Sequence, residues 1–286
     1  MLNFTKKSRQ GAILCGSYTD RGAHRPENQD AVFCRVFSAK NKKNPPNVPL
    51  VLCAVCDGVG GMERGDLASG VVTAEMARFA DSLDSWVEPG TTENGILFSH
   101  FRDAAEGWNA TLCDTAKNYR IRTGTTFSGF LLNGDTYQII HAGDSRIYRY
   151  RPGDPAGLRL LCLTEDECVW REQNGRMRSF LSNCMGIHPL LSFCAYGGTL
   201  LPGDMLLACS DGFYHHLTEH DAQGLWKSAV SGEDIPAALS RAAQNMIARG
   251  ETDNLSAVLY LHRPNDTPPQ KDTGVEEDAE KTVLGI

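Results

Sequence analysis

Runs of Val, Ile, Leu, Phe and Tyr, separated by turn residues, recur along the chain and predict β-strands. The turn Asn133-Gly134 followed by Asp135 joins two of these runs, which is a strong hairpin signal. Strands connected by such short turns pair antiparallel. We predict strands at AVFCRVF, VPLVLCAVC, TFSGFLL, TYQIIHA, RIYRYR, LRLLCL, DMLLACS and NLSAVLYLH.

Helical periodicity is clearest in residues 63–83, where apolar side chains recur at a spacing of three or four. Further helices are predicted at residues 94–117, 219–229 and 235–249. Helices grouped between hairpin-linked strands favour an α+β fold with antiparallel sheets over a βαβ winding. Two helices would cover one sheet and two the other. In the first of these helices, the apolar side chains that form one stripe are Ala68, Val72, Met76, Phe79 and Leu83.

The 286 residues favour one large domain, residues 1–262, followed by an acidic, proline-containing tail, residues 263–286, which we expect to be disordered. Residues 39–49 look like a surface loop between two strands.

No run reaches the ~18 apolar residues of a membrane span, and the N-terminus lacks a signal peptide, so we expect a cytoplasmic protein. The net charge of -7 argues against a nucleic-acid binder.

The ten cysteines show no spacing typical of a disulfide scaffold. Cys53 and Cys56 have C-x-x-C spacing, but a zinc site would need a second such pair, and the sequence has none. We therefore expect Cys53, Cys56 and Cys209, which lie inside apolar runs, to be small buried apolar groups with reduced thiols.

Five aspartates stand where predicted strands begin or end. One Asp-Gly is ordinary turn chemistry, but five such positions in one domain suggest a shared role. If these carboxylates converge, they repel one another and stay ionised only around a cation. Oxygen ligands select hard ions, so Mg²⁺ or Mn²⁺ is the expected occupant. The five are Asp30, Asp57, Asp144, Asp211 and Asp253.

The glycine-rich segment after Asp57 has two interpretations. Gly58 has no Cβ, so its backbone could approach a metal ion and offer a carbonyl oxygen. The alternative is a nucleotide-binding loop. The segment DGVGGMERG fits neither the dinucleotide-binding template nor a P-loop, which disfavours that alternative.

The ordered series RPENQD, VCDGVGG, TGTTFSG, HAGDSRIY, LTEDE, CSDG and TDN spans residues 12–262. It resembles the metal-dependent serine/threonine protein phosphatases of the 2C type, and their bacterial branch in particular. The resemblance implies a four-layer α–β–β–α sandwich with two central antiparallel sheets. It also implies a catalytic domain over residues 1–262 that hydrolyses phosphoserine and phosphothreonine in proteins. Water would be activated at a centre of two Mn²⁺ or Mg²⁺ ions.

Site roles follow from the same resemblance. Asp57 would bridge both ions, and the carbonyl of Gly58 would complete one site. Asp211 and Asp253 would hold one ion, and Asp30, with Gln29 beside it, would serve the other. Asp144 would bind a third, weaker ion shared with Asp211. Arg25 would grip the substrate phosphate through its planar fork. Arg25, Asp57 and Asp211 are thus the expected catalytic residues.

The chain departs from the family pattern at several places. Val59 stands where animal members carry a histidine proposed as the general acid, which leaves that role open. The flap before SFLSNCMG is short, with a helical run expected before Asn174. Arg176 and Arg178 would therefore lie near an incoming phosphopeptide, although solvated loop arginines are an equal alternative.

The resemblance also suggests partners. These are phosphorylated proteins, a serine/threonine kinase that the phosphatase opposes, and a forkhead-associated domain protein that would bind phosphorylated Thr282 in the tail. A solvated tail without that role is the competing interpretation. Two alternatives to a protein phosphatase are a pseudophosphatase, which would be a metal-holding regulatory module of the same fold, and a hydrolase of small phosphate esters.

Overall fold

The computed structural model describes residues 14–38, 49–86, 94–173 and 175–263. Along the chain its elements are β1 (Leu14–Asp20), β2 (Ala31–Ser38), β3 (Pro49–Cys56), α1 (Gly65–Trp86), α2 (Asn94–Tyr119), β4 (Phe127–Asn133), β5 (Thr136–Ala142), β6 (Arg146–Tyr150), β7 (Leu160–Cys162), β8 (Cys168–Gln173), β9 (Arg176–Leu181), β10 (Cys194–Thr199), β11 (Met205–Cys209), α3 (Asp211–Tyr214), α4 (Glu219–Val230), α5 (Ile235–Ala248) and β12 (Leu255–Leu261).

Two five-stranded antiparallel sheets form the centre of the described fold. One sheet has the order β1-β12-β11-β6-β7, and the other has the order β10-β5-β4-β3-β2. Their facing sides meet in an apolar core that includes Val51, Phe130, Leu206 and Val258. Strands buried on both faces explain why runs such as LVLCAV are continuously apolar instead of alternating.

A pair of helices packs on the outer face of each sheet. α1 and α2 cover the sheet that contains β3 and β4, and α4 and α5 cover the other. The stripe predicted on α1 faces inward, with Ala68, Val72 and Met76 fully buried. The predicted four-layer α–β–β–α sandwich is therefore confirmed. None of the helices in the described ranges has the length and apolar character needed to cross a membrane.

The eight predicted strands are all present, but β1, β8, β9 and β10 were not predicted. The helical run expected before Asn174 is wrong, because residues 168–173 form strand β8, which pairs with β9. Gly175 turns the chain in the left-handed region, at φ 74°, and so returns β9 along β8. Helix α1 starts two residues later than predicted. The predicted loop (residues 39–49) and tail (residues 263–286) lie outside the described residues, except for Pro49, which begins β3, and Arg263.

The N-terminus of α4 is held by a buried carboxylate. The backbone amide of Thr218 donates to Asp221, and the amide of Asp221 donates back to the Thr218 hydroxyl, which makes a capping box. Arg249, just after α5, donates to both Asp221 oxygens at 2.6 and 2.9 Å. Burial opposes ionisation of Asp221, but the bonds from Arg249 and Thr218 outweigh it and lower its pKa to about 2. The carboxylate thereby joins α4 to α5.

We expect Asp221→Ala to lower the free energy of unfolding by about 2 kcal/mol at pH 7, because it removes a cap and half of an ion pair. A carboxyl group whose folded pKa is depressed stabilises the fold above its unfolded pKa of about 4. The difference from wild type should therefore shrink as the pH falls from about 4 towards 2. Urea unfolding across this range measures it. Asp114→Ala, at an exposed position of α2, is the control, and an equal loss in both variants would contradict the expectation.

Candidate metal centre

Four of the predicted aspartates line one cleft at the end of the sandwich. Asp57 follows β3, Asp144 lies between β5 and β6, Asp211 begins α3 and Asp253 precedes β12. The cleft has a volume of about 1460 Å³. Asp30 does not line the cleft and is buried, with 9% of its surface exposed. The strand ends thus bring these carboxylates to one place.

The backbone of Asp57 is fixed by the start of β4. Its amide donates to the Thr126 hydroxyl at 3.0 Å. Its carbonyl accepts from the Thr126 amide at 2.8 Å and from the Thr125 hydroxyl at 2.9 Å. Both backbone polar groups of Asp57 are therefore satisfied within the protein, and its carboxylate is left to face the cleft.

Gly58 sits in a space that no larger residue could share. A Cβ there would lie 2.6 Å from the backbone of Gly65, at the start of α1. The Gly58 amide donates to the carbonyl of Gln29 at 3.2 Å. The glycine therefore lets the segment after β3 pack directly on α1 and on the loop before β2.

The turns that carry Asp211 and Asp253 are in direct contact. A Cβ on Gly212 would lie 2.1 Å from the carbonyl oxygen of Asn254. The Asn254 side chain accepts from the Gln29 amide and donates to the carbonyls of Arg21 and Glu27. It therefore ties the loop between β1 and β2 to the start of β12.

Burial and mutual repulsion raise the pKa values of the site. Burial is the largest cause for Asp57, whose pKa lies well above its ordinary value, and the charges of Asp30 and Asp211 add to it. Burial also raises the pKa of Asp30 to about 7 and that of Asp144 to about 6, and nearby Asp211 contributes to both. The pKa of Asp211 is raised by burial and by Asp253. Each carboxylate thus opposes the ionisation of its neighbours, which a cation would relieve.

The residues present fit hard divalent cations. The donors are carboxylate and carbonyl oxygens, which Mg²⁺ and Mn²⁺ prefer. One buried oxygen, Asp30 Oδ2, has no hydrogen-bond partner in the protein, which is a costly state for a carboxylate. In the described part of the chain, the aspartate oxygens do not gather in threes within 4.8 Å of one another. Holding one ion with three of these aspartates, as the predicted roles require, would therefore draw their side chains closer together.

Two of the predicted substrate arginines also line the cleft. Arg25 donates from Nη2 to Asp253 Oδ2 at 2.5 Å, and half of its side chain is exposed. Arg178 reaches the cleft from β9. Arg176 is also in β9, but its side chain is outside the described part. Thr282 lies outside the described residues. The catalytic, metal-binding and regulatory roles given to all these residues stay predictions.

Sequence reasoning missed residues that act on the site through others. Thr126 and Asn254 lie inside the motifs TGTT and TDN, but nothing in those motifs shows that their side chains hold Asp57 and Gln29. His215 lines the cleft directly, and its Nδ1 lies 3.6 Å from Glu251 Oε2. In the sequence, only its position four residues after Asp211 could have pointed to it. His141 is buried between Ser128 and the carbonyl of Glu165, so it is structural.

No family model matches the chain. A curated relative, the serine/threonine protein phosphatase PstP of Mycobacterium tuberculosis, is 24% identical over 254 residues, which cover 84% of this chain and 43% of PstP. The chain thus spans less than half the length of the curated relatives it matches.

Solved structures resemble the chain over most of its length. Stp1 from Staphylococcus aureus superposes with a TM-score of 0.68 at 20% identity, covering 92% of this chain and all of Stp1. The PPM Ser-Thr phosphatase MsPP from Mycobacterium smegmatis gives 0.61 at 24% identity, covering 87% of this chain and 99% of MsPP. This chain has the PPM phosphatase fold. The predicted resemblance to bacterial serine/threonine phosphatases is confirmed.

Proposed function

We propose that this PPM-fold chain is a metal-dependent serine/threonine protein phosphatase, which hydrolyses the phosphomonoesters of phosphoserine and phosphothreonine in proteins. The observation that supports it most is the gathering of Asp57, Asp144, Asp211 and Asp253 around one cleft, with Arg25 beside them. These side chains come from segments far apart in the sequence, and their mutual repulsion is unfavourable without a cation. Such an arrangement suits a functional site better than a structural one.

Two Mn²⁺ or Mg²⁺ ions, and a third weaker one, are the proposed cofactors. Asp57 would serve both principal ions, and the Gly58 carbonyl would complete one of the two sites. Asp211 and Asp253 would hold one ion, and Asp30 would serve the other. Asp144 would hold the third ion. When bound, such ions lower the pKa of water and offset the charge that develops on the phosphoryl oxygens. Asp30 Oδ2, which is buried without a hydrogen-bond partner, would be the oxygen that Asp30 offers to its ion.

The chain itself would position the substrate. The Arg25 guanidinium would bind two oxygens of the phosphoryl group, because its planar fork matches their spacing. Its hydrogen bond to Asp253 would fix the guanidinium beside the metal ligands. The bound phosphoryl group would then keep a constant position relative to these carboxylates. Val59, after Gly58, carries no proton to donate to the leaving serine or threonine oxygen.

The proposed partners are phosphorylated proteins, a serine/threonine kinase whose action the phosphatase reverses, and a forkhead-associated domain protein that binds phosphorylated Thr282. The proposed location is the cytoplasm. One structural neighbour, PppA of Pseudomonas aeruginosa, is described as a key regulatory component of a type VI secretion system (T6SS). The role proposed for this chain is likewise regulatory, namely dephosphorylation of proteins in signalling.

A phosphatase assay tests the proposal directly. We expect the protein with Mn²⁺ to release phosphate from phosphothreonine and phosphoserine peptides, and EDTA to abolish this release, because the carboxylates alone would repel the phosphate. A phosphotyrosine peptide and a small aryl phosphate complete the panel. Metal binding without turnover would indicate the pseudophosphatase alternative. Turnover of the aryl phosphate alone would indicate a small-ester hydrolase.

Arg178 offers a test of how peptides approach the cleft. We expect Arg178→Ala to raise KM for an acidic phosphothreonine peptide about threefold, with kcat little changed, because a partly solvated ionic contact contributes about 0.5–1 kcal/mol. The KM for a small aryl phosphate should not change, since that substrate does not extend to β9. Arg241→Ala, on α5 away from the cleft, is the control. Equal KM values for the peptide in both variants would remove Arg178 from substrate binding.

A further inference from the structure

Three thiols meet in the core between the two sheets. Cys15 comes from β1, Cys34 from β2 and Cys53 from β3. The Cys15 Sγ lies 2.8 Å from the Cys34 Sγ and 3.4 Å from the Cys53 Sγ, and the three sulfurs lie within 4.8 Å of one another. Cys53 is fully buried, whereas Cys15 and Cys34 are partly exposed. The predicted burial of Cys53 is confirmed.

The pair spans the two sheets of the sandwich at one edge. β1 is the edge strand of the first sheet and β2 is the edge strand of the second. The loop between these strands, residues 21–30, carries Arg25 and Asp30 and is tied to β12 by Asn254. A covalent bond between Cys15 and Cys34 would join both strands that support this loop.

We propose that Cys15 and Cys34 form a reversible disulfide across the sandwich when the protein meets a peroxide. The Cys34 thiolate attacks one peroxide oxygen and becomes a sulfenic acid, and the other oxygen leaves as water after taking up a proton. The Cys15 sulfur then attacks the Cys34 sulfur, and the sulfenic hydroxyl leaves with the Cys15 proton as a second water. The two thiols together lose two electrons, and hydrogen peroxide accepts both. A dithiol restores the reduced pair by exchange.

The surroundings of the cluster favour this pair and this reaction. Hydrogen bonds from Cys15 and Cys53 lower the pKa of the Cys34 thiol, which raises its reactivity. Cys15 is in contact with Cys34 and can resolve a sulfenic acid there. Cys53 has no exposed surface through which a peroxide could reach it first.

A soft metal ion bound by the three thiolates is the competing occupant of the cluster. Three thiolates around Zn²⁺ or Cu⁺ would leave net negative charge in a core formed by Val51, Val55, Phe130 and Val258. Keeping such charge permanently in these surroundings is costly, whereas the Cys34 thiolate is charged only until it reacts. A disulfide carries no charge and needs only that two sulfurs already in contact move closer. The apolar core therefore favours the disulfide.

The ring closed by this bond contains residues 15–34, including the proposed phosphate-binding Arg25. A cross-link of this length restricts the unfolded chain, so the oxidised protein should melt at a temperature higher by about 5 °C or more. The effect concerns the covalent state and the stability of the fold, so its measurement is independent of phosphatase turnover.

Peptide mapping without reductant tests the proposal on the full-length protein. After exposure to hydrogen peroxide and alkylation of the remaining thiols, we expect a tryptic species that joins residues 10–21 to residues 22–35, since cleavage after Arg21 separates Cys15 from Cys34. Dithiothreitol should remove this species. Its yield should be unchanged in Cys113→Ser, a partly exposed cysteine on α2, and it should be absent in Cys15→Ser. The melting temperature should rise on oxidation in wild type and Cys113→Ser only.

Several results would overturn the proposal. One is oxidation of Cys34 to a sulfinic or sulfonic acid without the linked peptide. Another is a disulfide from Cys53 to Cys15 or Cys34 instead of the Cys15–Cys34 link. The third is zinc or copper that copurifies with the reduced protein and is lost in Cys15→Ser. The wild-type map decides the question even if Cys15→Ser fails to fold. A melting temperature that does not change on formation of the linked peptide would overturn the stabilising effect.

Discussion

Asp211→Asn is expected to lower Mn²⁺-dependent hydrolysis of a phosphothreonine peptide by about 10²- to 10³-fold in kcat/KM, the usual effect of removing one preorganised charge from a catalytic site. Asparagine keeps the shape of the side chain but loses the negative charge that would bind the ion. Asp211 is placed by Gly212, which packs on Asn254, so an isosteric change should leave this contact in place. The loss should therefore come from metal binding and catalysis, with little change in folding.

The metal dependence of thermal stability separates these contributions. A ligand that binds only the folded state stabilises it, so Mn²⁺ should raise the melting temperature of the wild type and raise that of Asp211→Asn less. Without metal, Asp211→Asn should be at least as stable as wild type, because one member of a repelling cluster becomes neutral. Asp114→Asn is the matched control on an exposed helix face. Wild-type activity in Asp211→Asn would contradict the proposed metal centre.

Local sequence was enough to place the aspartates because each follows or precedes a strand of strong apolar character. Asp57 comes directly after the buried run of β3, and Asp211 follows that of β11 after one serine, so predicting the strand also placed the carboxylate near its end. Their convergence depends on which strand ends share one side of the sandwich. That information came from the family resemblance, since strand order is a long-range property. Asp30 was predicted to serve the same centre, but it is buried and does not line the cleft, and strand position does not encode this difference of depth.

The features that were not predicted depend on contacts across space. β8 has six residues, too few for periodicity to separate a strand from a helix, and its pairing with β9 decides the matter. The side chain of Asn254 joins three backbone groups between residues 21 and 29, over 220 residues away. The thiols of Cys15, Cys34 and Cys53 meet only because β1 stacks against β2 and β3 across the sandwich. Neither a motif nor a spacing in the sequence describes these encounters.

Replacing Arg25 is expected to have the second-largest effect, a loss of about 10²-fold in kcat/KM for Arg25→Ala with a phosphothreonine peptide. Arg25→Lys should recover little of this loss. A lysine is a point charge without the fork that would hold two phosphoryl oxygens while also donating to Asp253. Steady-state kinetics with the peptide measure the loss of turnover. A Mn²⁺ titration followed by melting temperature measures whether the metal still stabilises the variant.

The Mn²⁺ response tells whether Arg25 acts on the phosphate or only supports a metal ligand. If Arg25 binds phosphate, its loss should reduce turnover while the stabilisation by Mn²⁺ persists, since Asp253 keeps its bonds through Asn254 and Glu251. If Arg25 mainly holds Asp253 in place, turnover and metal response should fall together. Arg21→Lys, an exposed change in the same loop that leaves the cleft lining intact, controls for effects on the loop itself. Full activity in Arg25→Ala would exclude the proposed phosphate contact.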